Sequence, residues 1–249
     1  LSTEQFDVTI IGSGPGGYVA AIRGAQLGLK VALVEKDKRL GGTCTLRGCI
    51  PTKQLLMSAH HYEMAHKGLA DFGVQVSEVR LAFDDVQKRK QKVVMKNSKG
   101  IEFLMKKNSI TVFKGTGKLA LPGKVEVTGE DGKAQTINTK NIVIATGSVV
   151  RPIPGFETDG ERVVNSDHIL ELEKVPKSLV VMGSGAVGTE FASVYSRFGA
   201  ETTLVELLPR IMPLEDEEVS KELEKSFRKR GIKCLTGTKL DKVERTDAG

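Results

Sequence analysis

The amino-acid sequence predicts an α/β fold built from two doubly wound, Rossmann-type dinucleotide-binding domains. Two glycine-rich turns of the form G-x-G-x-x-G predict this fold, one at residues 12–17 and one at residues 183–188. Each turn lies between an apolar strand pattern and a helix pattern. Each is followed, at the same offset, by a glutamate (Glu35 or Glu206) that ends the next strand. A single turn of this kind is weak evidence, but chance rarely supplies two that agree in this way.

The first half of the chain begins with a βαβ unit. Residues 6–11 form a short, β-branched, nearly continuous apolar run, which is typical of a buried parallel strand. After the first glycine turn, residues 18–27 form an alanine-rich helix pattern that ends at Gly28. The second strand is predicted over residues 30–34, so that Glu35 lies at its carboxyl end.

Helices and then an antiparallel β-meander follow in the first half. Helix patterns cover residues 53–70 and 83–107, with Gly100 as a candidate break in the second. From Ile110 the apolar period changes to two, which indicates a meander inserted into the first domain. Its predicted strands are residues 111–113, 124–128 and 134–137, with a hairpin turn at 130–132, and residues 141–145 form a further buried strand.

The second half repeats the βαβ pattern after a linker. The linker is predicted at residues 151–155, because two prolines there exclude both a helix and a central strand. We accordingly assign residues 1–150 to the first domain and residues 151–249 to the second. The second βαβ unit comprises a strand at residues 178–182, a helix at 189–198 and a strand at 201–205, and a later strand at 233–236 carries Cys234 as a buried core residue.

The doubled glycine turn predicts two nucleotide sites. In such a turn the first glycine permits the tight bend, the second lets a pyrophosphate approach the backbone, and the third lets the helix pack on the strand. The glutamate accepts hydrogen bonds from a ribose, and its charge repels a 2′-phosphate, so Glu206 favours NAD over NADP. The alternative is that both glycine turns are purely structural and bind no nucleotide, but the repetition of the motif disfavours it. Two dinucleotide sites in one chain imply two cofactors that must meet, and FAD together with NAD is the most economical pair.

Cys44 and Cys49 form a C-x₄-C pair that predicts redox chemistry. The spacing differs from the C-x-x-C of zinc ribbons, and no second cysteine pair or histidine pair has ligand spacing, so no metal site is predicted. A structural disulphide is the main alternative, but closing so short a loop stabilises a fold by only ~2 kcal/mol. Pro51 is placed to be the first residue of a helix. The helix dipole, with Arg47 and Lys53 nearby, then favours a thiolate at Cys49.

Composition and charge exclude several other classes of function. The net charge is +6 and is not confined to one tract. The basic run at residues 88–92 has no interleaved aromatic residues, so a solvated helix face explains it better than nucleic-acid binding. No apolar run approaches the ~20 residues of a membrane helix, and residues 1–7 lack a signal-peptide pattern. We therefore expect a reducing compartment, either the cytoplasm or, in a eukaryote, the mitochondrial matrix.

Taken together, these motifs resemble the pyridine nucleotide-disulphide oxidoreductases, and most closely the dihydrolipoamide dehydrogenases within that family. The resemblance covers essentially the whole chain. It rests on the first glycine turn, the segment 41–53 with its two cysteines, the triplet Ala145-Thr146-Gly147, and the second turn with its glutamate. Glu206 disfavours the glutathione reductases, which carry a basic residue there. The mercuric reductases are the closest rival.

The resemblance implies a role for each residue of these motifs. Cys49 would face the flavin, and Cys44 would exchange with a substrate dithiol. Lys53 would lie beside the flavin, paired with Glu190 near the nicotinamide. The implied cofactor-binding residues are Gly12, Gly14, Gly17, Glu35, Lys36, Gly42, Thr43, Gly117, Thr146, Gly147 and Ser148 for FAD, and Gly183, Gly185, Ala186, Val187, Gly188, Glu206 and Leu240 for NAD.

The resemblance also implies an activity and a partner. The activity is the oxidation of dihydrolipoamide to lipoamide with NAD⁺ as the final acceptor, through Cys44–Cys49 and FAD. The partner is the lipoyl domain of a 2-oxo acid dehydrogenase complex or of a glycine cleavage complex. Full-length members of the family are homodimers.

The chain departs from this family in two respects. Most relatives have Leu-Asn-Val between the cysteines, whereas this chain has Thr45-Leu46-Arg47. The sequence also stops at Gly249, whereas family members continue with the rest of the NAD domain, the returning part of the FAD domain, and a dimer-interface domain that carries a His-Glu acid-base pair. We therefore expect residues 1–249 alone to retain FAD weakly or not at all and to be catalytically incomplete. A non-catalytic dinucleotide-binding module is the alternative.

Overall fold

The computed structural model describes residues 5–244, and its tertiary contacts divide the chain into two units. Unit 1 comprises Leu1–Pro51 and Gln91–Val149, and unit 2 comprises Thr52–Lys90 and Val150–Gly249. Residues 52–90, which we assigned to the first domain, thus group with the second half of the chain. The assignment of one cofactor to each domain stays a prediction.

Unit 1 is built on one six-stranded sheet. Its strands are β1 Gln5–Ile11, β2 Val31–Glu35, β3 Thr111–Lys114, β4 Thr116–Leu121, β5 Lys124–Thr128 and β6 Ala134–Ile144. In space they follow the order β3-β2-β1-β6-β5-β4. The strands β3, β2, β1 and β6 are parallel, whereas β5 runs antiparallel to both β6 and β4. Every residue of β2 is buried, as expected for a central parallel strand covered on both faces.

Hydrophobic clusters cover both faces of this sheet. Ile10 and Leu33 belong to one cluster, and their chain neighbours Ile11 and Val34 belong to the other. Each strand contributes to both clusters because successive residues of a strand point to opposite faces. This burial fixes the carboxyl ends of β1 and β2, where the first glycine turn begins and where Glu35 lies.

The structure changes the predicted meander. Residues 134–137 and 141–145, predicted as two strands, lie on one strand, β6, which pairs antiparallel with β5 and then parallel with β1. The strand continues because the side-chain period of two persists through Ile137 and Thr139, which are both buried. The strand predicted at residues 111–113 is β3 of the parallel region. The third meander strand is β4, whose mostly exposed residues give no alternating signal.

Residues 5–107 contain the three predicted helices and one that the sequence pattern does not predict. They are α1 Pro15–Gln26, α2 Gly42–Arg47, α3 Cys49–Glu63 and α4 Phe83–Lys107. The additional helix is α2; α4 has the predicted bounds, whereas the bounds of α1 and α3 are shifted. Helices α1 and α3 both begin about one turn before the predicted start, and α3 is followed by a π-helical turn, Met64–Gly68, and a 3₁₀ turn, Leu69–Phe72. Gly100 does not break α4, because Ile101 and Met105 beyond it are buried and anchor the last turns in the core of unit 1.

Unit 2 contains a parallel three-stranded sheet in the order β7-β8-β9. Its strands are β7 Ser178–Met182, β8 Glu201–Val205 and β9 Lys233–Leu235, and its later helices are α5 Ser166–Ile169, α6 Ala186–Arg197 and α7 Glu217–Lys229. The first two strands have the predicted bounds. Cys234 on β9 is 3% exposed, so its prediction as a core residue is confirmed.

Helix α7 is missing from the sequence-based prediction, although its signals are present in the chain. The Asp216 side chain accepts hydrogen bonds from Glu218 N at 2.9 Å and from Val219 N at 3.2 Å, which satisfies two amides of the first turn. Acidic residues occupy the first turn and basic residues the last, which complements the helix dipole.

The predicted α/β class is confirmed by the parallel strands that lie beside each glycine turn. Residues 151–155 form neither helix nor strand, as predicted for the linker. Within residues 5–244, no helix combines the length and the apolar character needed to span a membrane.

Candidate functional site

The first glycine turn is held tightly against its neighbours. Gly12 has a φ of +104°, and a Cβ added to it would lie 2.3 Å from the carbonyl oxygen of Ala145. A Cβ at Gly17 would lie 1.8 Å from the carbonyl oxygen of Gly12. Helix α1 begins directly after Gly14, with Pro15 in its first turn. The first and third glycines are therefore required by the packing of α1 and of β6.

Helix α2, which carries Cys44, begins against this turn. A Cβ at Gly42 would lie 2.5 Å from the Cα of Gly14, so the two backbones are in close contact. The amide of Gly41 donates to the carbonyl oxygen of Ser13 at 3.1 Å. These contacts explain why the chain has a second pair of glycines just before the cysteine segment.

Glu35 is 6% exposed, and donors from the turn and from the following loop hold its carboxylate. Its Oε2 accepts hydrogen bonds from Ser13 N at 2.8 Å and from Ser13 Oγ at 2.5 Å. Its Oε1 accepts from Asp37 N at 2.7 Å. The carboxylate thus joins the glycine turn to the loop that follows β2.

The second turn repeats this arrangement in unit 2. Gly183 has a φ of +92°, and a Cβ at Gly188 would lie 2.0 Å from the carbonyl oxygen of Gly183. Glu206 is 8% exposed. Its Oε2 accepts hydrogen bonds from Ser184 N at 2.8 Å and Ser184 Oγ at 2.7 Å, and its Oε1 accepts from Leu208 N at 2.9 Å.

The charge of Glu206 is maintained by these hydrogen bonds. Burial on its own raises the pKa of this carboxyl group. The hydrogen bonds from Leu208 N and from both donors of Ser184 outweigh that effect and hold the pKa of Glu206 below its ordinary value. A buried glutamate that stays ionised suits the recognition of ribose hydroxyls, which donate hydrogen bonds to a carboxylate.

Both turns have room for a pyrophosphate at their second glycine. A Cβ at Gly14 would meet only the Cα of Gly42, at 3.9 Å, and a Cβ at Gly185 would meet nothing within 4 Å. A Cβ would clash with backbone atoms at the first and third glycines of the first turn and at the third glycine of the second turn, whereas Gly14 and Gly185 have room at the start of a helix. Backbone amides at that position bind phosphate oxygens. The residues present therefore fit a dinucleotide at each turn.

The two cysteines lie on consecutive helices in unit 1. Cys44 is half-buried on α2, and Cys49 is exposed at the first position of α3. The prediction that α3 begins at Pro51 is therefore wrong. The helix begins at Cys49 and includes Pro51 in its first turn, where the missing N–H of proline costs no intrahelical hydrogen bond.

Arg47 forms an ion pair that the sequence does not reveal. Its Nη2 lies 2.7 Å from Oδ2 of Asp37, and the two side chains are 39% and 26% exposed. Asp37 in turn donates its amide to Glu35. The charge of Arg47 is therefore compensated by Asp37, which weakens the expectation that Arg47 favours a thiolate at Cys49.

Lys53 and Glu190 form an ion pair within unit 2, with Nζ of the lysine donating to Oε1 of the glutamate. Lys53 lies on α3 and Glu190 on α6, and their side chains are 59% and 30% exposed. The resemblance implies this pairing, and the structure contains it. The roles of the two residues in catalysis stay predictions.

The remaining predicted site residues occupy varied positions. Gly117 on β4 is close-packed, because a Cβ there would lie 3.0 Å from Ile11 Cγ2. Leu240 is half-buried in a segment without helix or strand. The exposed members of the predicted set are Lys36 after β2, Thr43 on α2, Thr146, Gly147 and Ser148 after β6, and Ala186 and Val187 in the first turn of α6.

Sequence reasoning missed Ser13, Ser184 and Asp37 as parts of the site. The serines had a detectable signal, since the same residue stands between the first two glycines of both turns. Asp37 gave none, because its ion pair depends on how α2 packs beside the loop after β2.

Comparisons with known proteins agree with this geometry. The family model described as pyridine nucleotide-disulphide oxidoreductase matches residues 6–248. Dihydrolipoyl dehydrogenase from Chlorobaculum parvum is 47% identical over 248 residues, which cover 100% of this chain and 52% of that protein. The chain therefore spans about half the length of the curated relatives it matches.

Solved structures are similar over the same region. LpdA from Mycobacterium tuberculosis has a TM-score of 0.88 and 26% identity, with 99% of this chain and 54% of that chain covered. The HOCl-induced flavoprotein disulfide reductase RclA from Escherichia coli has a TM-score of 0.82 and 27% identity, with 98% and 52% covered.

Proposed function

The chain belongs to the pyridine nucleotide-disulphide oxidoreductase family, as its motifs indicate, and on that premise we propose that it is the dinucleotide-binding part of a dihydrolipoamide dehydrogenase. The family and the relatives use FAD and NAD(H), so the chain is part of a flavin-dependent oxidoreductase. The proposed reaction is the oxidation of dihydrolipoamide to lipoamide, with NAD⁺ as the final acceptor. The observation that carries the proposal is the repeated turn-and-glutamate network, together with the Cys44–Cys49 segment packed against the first turn.

The first turn is the proposed site for the adenosine half of FAD, and the second is the proposed site for NAD⁺. The amides at the start of α1 and of α6 would bind the pyrophosphates, where Gly14 and Gly185 leave open space. Glu35 and Glu206 would accept hydrogen bonds from the ribose hydroxyls. Oε1 accepts from Asp37 N in Glu35 and from Leu208 N in Glu206, and since a carboxylate oxygen can accept more than one hydrogen bond, capacity for a ligand remains.

Cys44 and Cys49 are the proposed redox pair. A substrate thiolate would attack Sγ of Cys44 in the oxidised pair and displace the thiolate of Cys49. The second substrate thiol would then displace Cys44, which releases lipoamide and leaves both cysteines reduced. The substrate is thus oxidised by two electrons and the pair is reduced by two. When bound, FAD would supply the two-electron redox chemistry that connects the reduced cysteines with NAD⁺.

Lys53 is proposed to act beside the flavin and Glu190 near the nicotinamide, as the resemblance implies. The ion pair holds the two side chains together, and a lysine beside the flavin would stabilise negative charge there. Lys53 also lies in the helix that begins with Cys49, so the position of the lysine depends on the same helix as that of the thiol.

Partner and location are also proposals. The lipoyl domain of a 2-oxo acid dehydrogenase complex or of a glycine cleavage complex is the proposed partner, and the intact enzyme is proposed to be a homodimer in a reducing compartment. A function like that of RclA is disfavoured because that disulfide reductase is 27% identical to this chain, whereas the dihydrolipoyl dehydrogenase of Chlorobaculum parvum is 47% identical.

Flavin spectroscopy tests the proposal and the separate roles of the two cysteines. Protein reconstituted with FAD should lose its flavin absorbance with NADH and regain it with lipoamide. With the flavin oxidised, Cys44→Ser should show a long-wavelength band from the thiolate-flavin contact, and Cys49→Ser should lack it. The opposite pattern would reverse the two roles. Saturated FAD binding without any response to NADH would refute the proposed hydride transfer.

A further inference from the structure

Ser13 and Ser184 stand in equivalent positions and make equivalent contacts. Each lies between the first two glycines of its turn, and each is 0% exposed. Each donates twice to one oxygen of the glutamate at the end of the next strand, once through its amide and once through its hydroxyl. The carbonyl oxygen of each serine also accepts an amide from a later loop, from Gly41 at 3.1 Å and from Met212 at 3.1 Å.

The hydroxyl has a definite effect on the carboxylate. A glutamate side chain rotates easily about its last bond, because that torsion has a broad, two-fold profile. Without the hydroxyl, each carboxylate would keep a backbone donor on Oε2 and another on Oε1, and the hydroxyl adds a second donor on Oε2 that restricts the remaining rotation further. The other oxygen, Oε1, accepts from Asp37 N in Glu35 and from Leu208 N in Glu206, and it is the oxygen that we assign to the ribose on the proposed function.

The turn itself does not require a serine. The glycines provide the bend and the close packing, and the serine amide would donate to the glutamate with any side chain present. The hydroxyl is therefore an added group at each turn. Its repetition in two units that bind different nucleotides, on the proposed function, indicates a shared task with respect to the glutamate.

We propose that Ser13 and Ser184 are positioning residues that orient the ribose-binding glutamates, and that Ser184 thereby contributes to the selection of NAD⁺ over NADP⁺. The inference rests on the proposed function, because it takes Glu206 as the ribose ligand of the second turn. A freely rotating carboxylate binds the two ribose hydroxyls less well and presents its charge less consistently to a 2′-phosphate.

Calorimetric titration of the 249-residue chain with NAD⁺ and NADP⁺ tests the inference. Loss of a hydrogen bond to a charged acceptor changes an equilibrium constant by roughly 10-fold or more. Only the part of this loss that comes from poorer orientation of the carboxylate lowers the affinity for NAD⁺. Ser184→Ala should therefore weaken NAD⁺ binding by about 5-fold and narrow the preference over NADP⁺. Ser184→Thr, which keeps the hydroxyl, should restore both. Ser98→Ala is the matched control, because Ser98 is 1% exposed and donates instead to the carbonyl oxygen of Leu40.

A double-mutant cycle separates positioning from a structural role. In a Glu206→Gln background, Ser184→Ala should change NAD⁺ affinity by less than about 2-fold, since residues that act through one another are non-additive. Equal effects of Ser184→Ala in both backgrounds would overturn the inference, as would wild-type NAD⁺ affinity in the folded single variant. Absence of NAD⁺ binding by the wild-type chain would instead refute the proposed function.

Discussion

Replacing Asp37 with asparagine should make the cysteine pair more reactive, because it removes the counter-charge of Arg47. The guanidinium of Arg47 lies 2.7 Å from the Asp37 carboxylate. Arg47 follows Cys44 by three residues on α2, so the two side chains share a helix face with Cβ atoms roughly 5–6 Å apart. Without Asp37, an uncompensated positive charge stands beside the thiol.

The size of the effect follows from this separation. At roughly 6 Å, a unit charge stabilises a thiolate by about 0.7 kcal/mol in bulk water and by about 2.8 kcal/mol at an effective dielectric constant of ~20. The Arg47 side chain is 39% exposed, so solvent screening favours the lower part of that range. Stabilising the Cys44 thiolate by about 0.7–1.4 kcal/mol raises the fraction of Cys44 in the thiolate form by about 3- to 10-fold. A more acidic thiolate is also less nucleophilic, which reduces the expected gain in rate to about 2- to 4-fold.

The assay is the alkylation rate of Cys44 at pH 7 with iodoacetamide, followed by peptide mass spectrometry. Asp37→Asn should raise the rate, whereas Arg47→Met should leave it unchanged or lower it, because the carboxylate then stands alone. The double variant should return to the wild-type rate. Cys234, which is buried, should stay unmodified in every variant and so report that the fold is intact.

Two outcomes would refute this reasoning. An unchanged rate in Asp37→Asn would show that the charge of Arg47 does not reach the thiol. A rise in both single variants would show that breaking the pair merely loosens α2, so that access and not charge controls the rate.

Two further predictions concern the glycine turns. Gly17→Ala should destabilise the chain by about 3 kcal/mol in urea unfolding, because its Cβ would lie 1.8 Å from a backbone oxygen. Gly16→Ala, whose Cβ meets only a side chain at 3.9 Å, should be neutral or slightly stabilising, and equal losses in both would contradict the packing argument. Because the pKa of Glu206 is lowered from 4.5 in the fold, its ionised form stabilises the protein above that pH, and this stability is lost as the pH falls through the folded pKa. Melting temperatures between pH 3 and 6 should therefore fall more steeply in wild type than in Glu206→Gln, and parallel curves would contradict the prediction.

The parts of the fold that could be predicted are those set by local pattern. Short-range sequence signals predict both glycine turns, the strands that flank them and the glutamates that end the second strand of each unit. Those signals are the apolar runs and the spacing of the glycines. The ion pair of Lys53 and Glu190 came only from the family resemblance, since the two residues are far apart in sequence. The sequence patterns predict starts for α1 and α3 that lie several residues too far along the chain. Glycine and proline usually break helices, but they are tolerated in the first turn of a helix.

The parts that could not be predicted depend on tertiary contacts. Strand β4 is mostly exposed and shows no alternation, so only its pairing with β5 defines it. The grouping of residues 52–90 with the second half also lies outside any local pattern. The hydrogen bonds of Ser13 and Ser184 require the turn and the next strand to be brought together, although the repeated serine was visible in the sequence.

The central claim is that Cys44 and Cys49 exchange electrons with dihydrolipoamide, and a redox titration of the thiols tests it most directly. The chain would be equilibrated anaerobically with set ratios of dihydrolipoamide to lipoamide, quenched in acid, alkylated and analysed by peptide mass spectrometry. We predict that one intramolecular disulphide between Cys44 and Cys49 appears and disappears reversibly as the ratio changes, with Cys234 reduced throughout. Cysteines that are modified independently at every ratio, or a disulphide that lipoamide does not form, would contradict it.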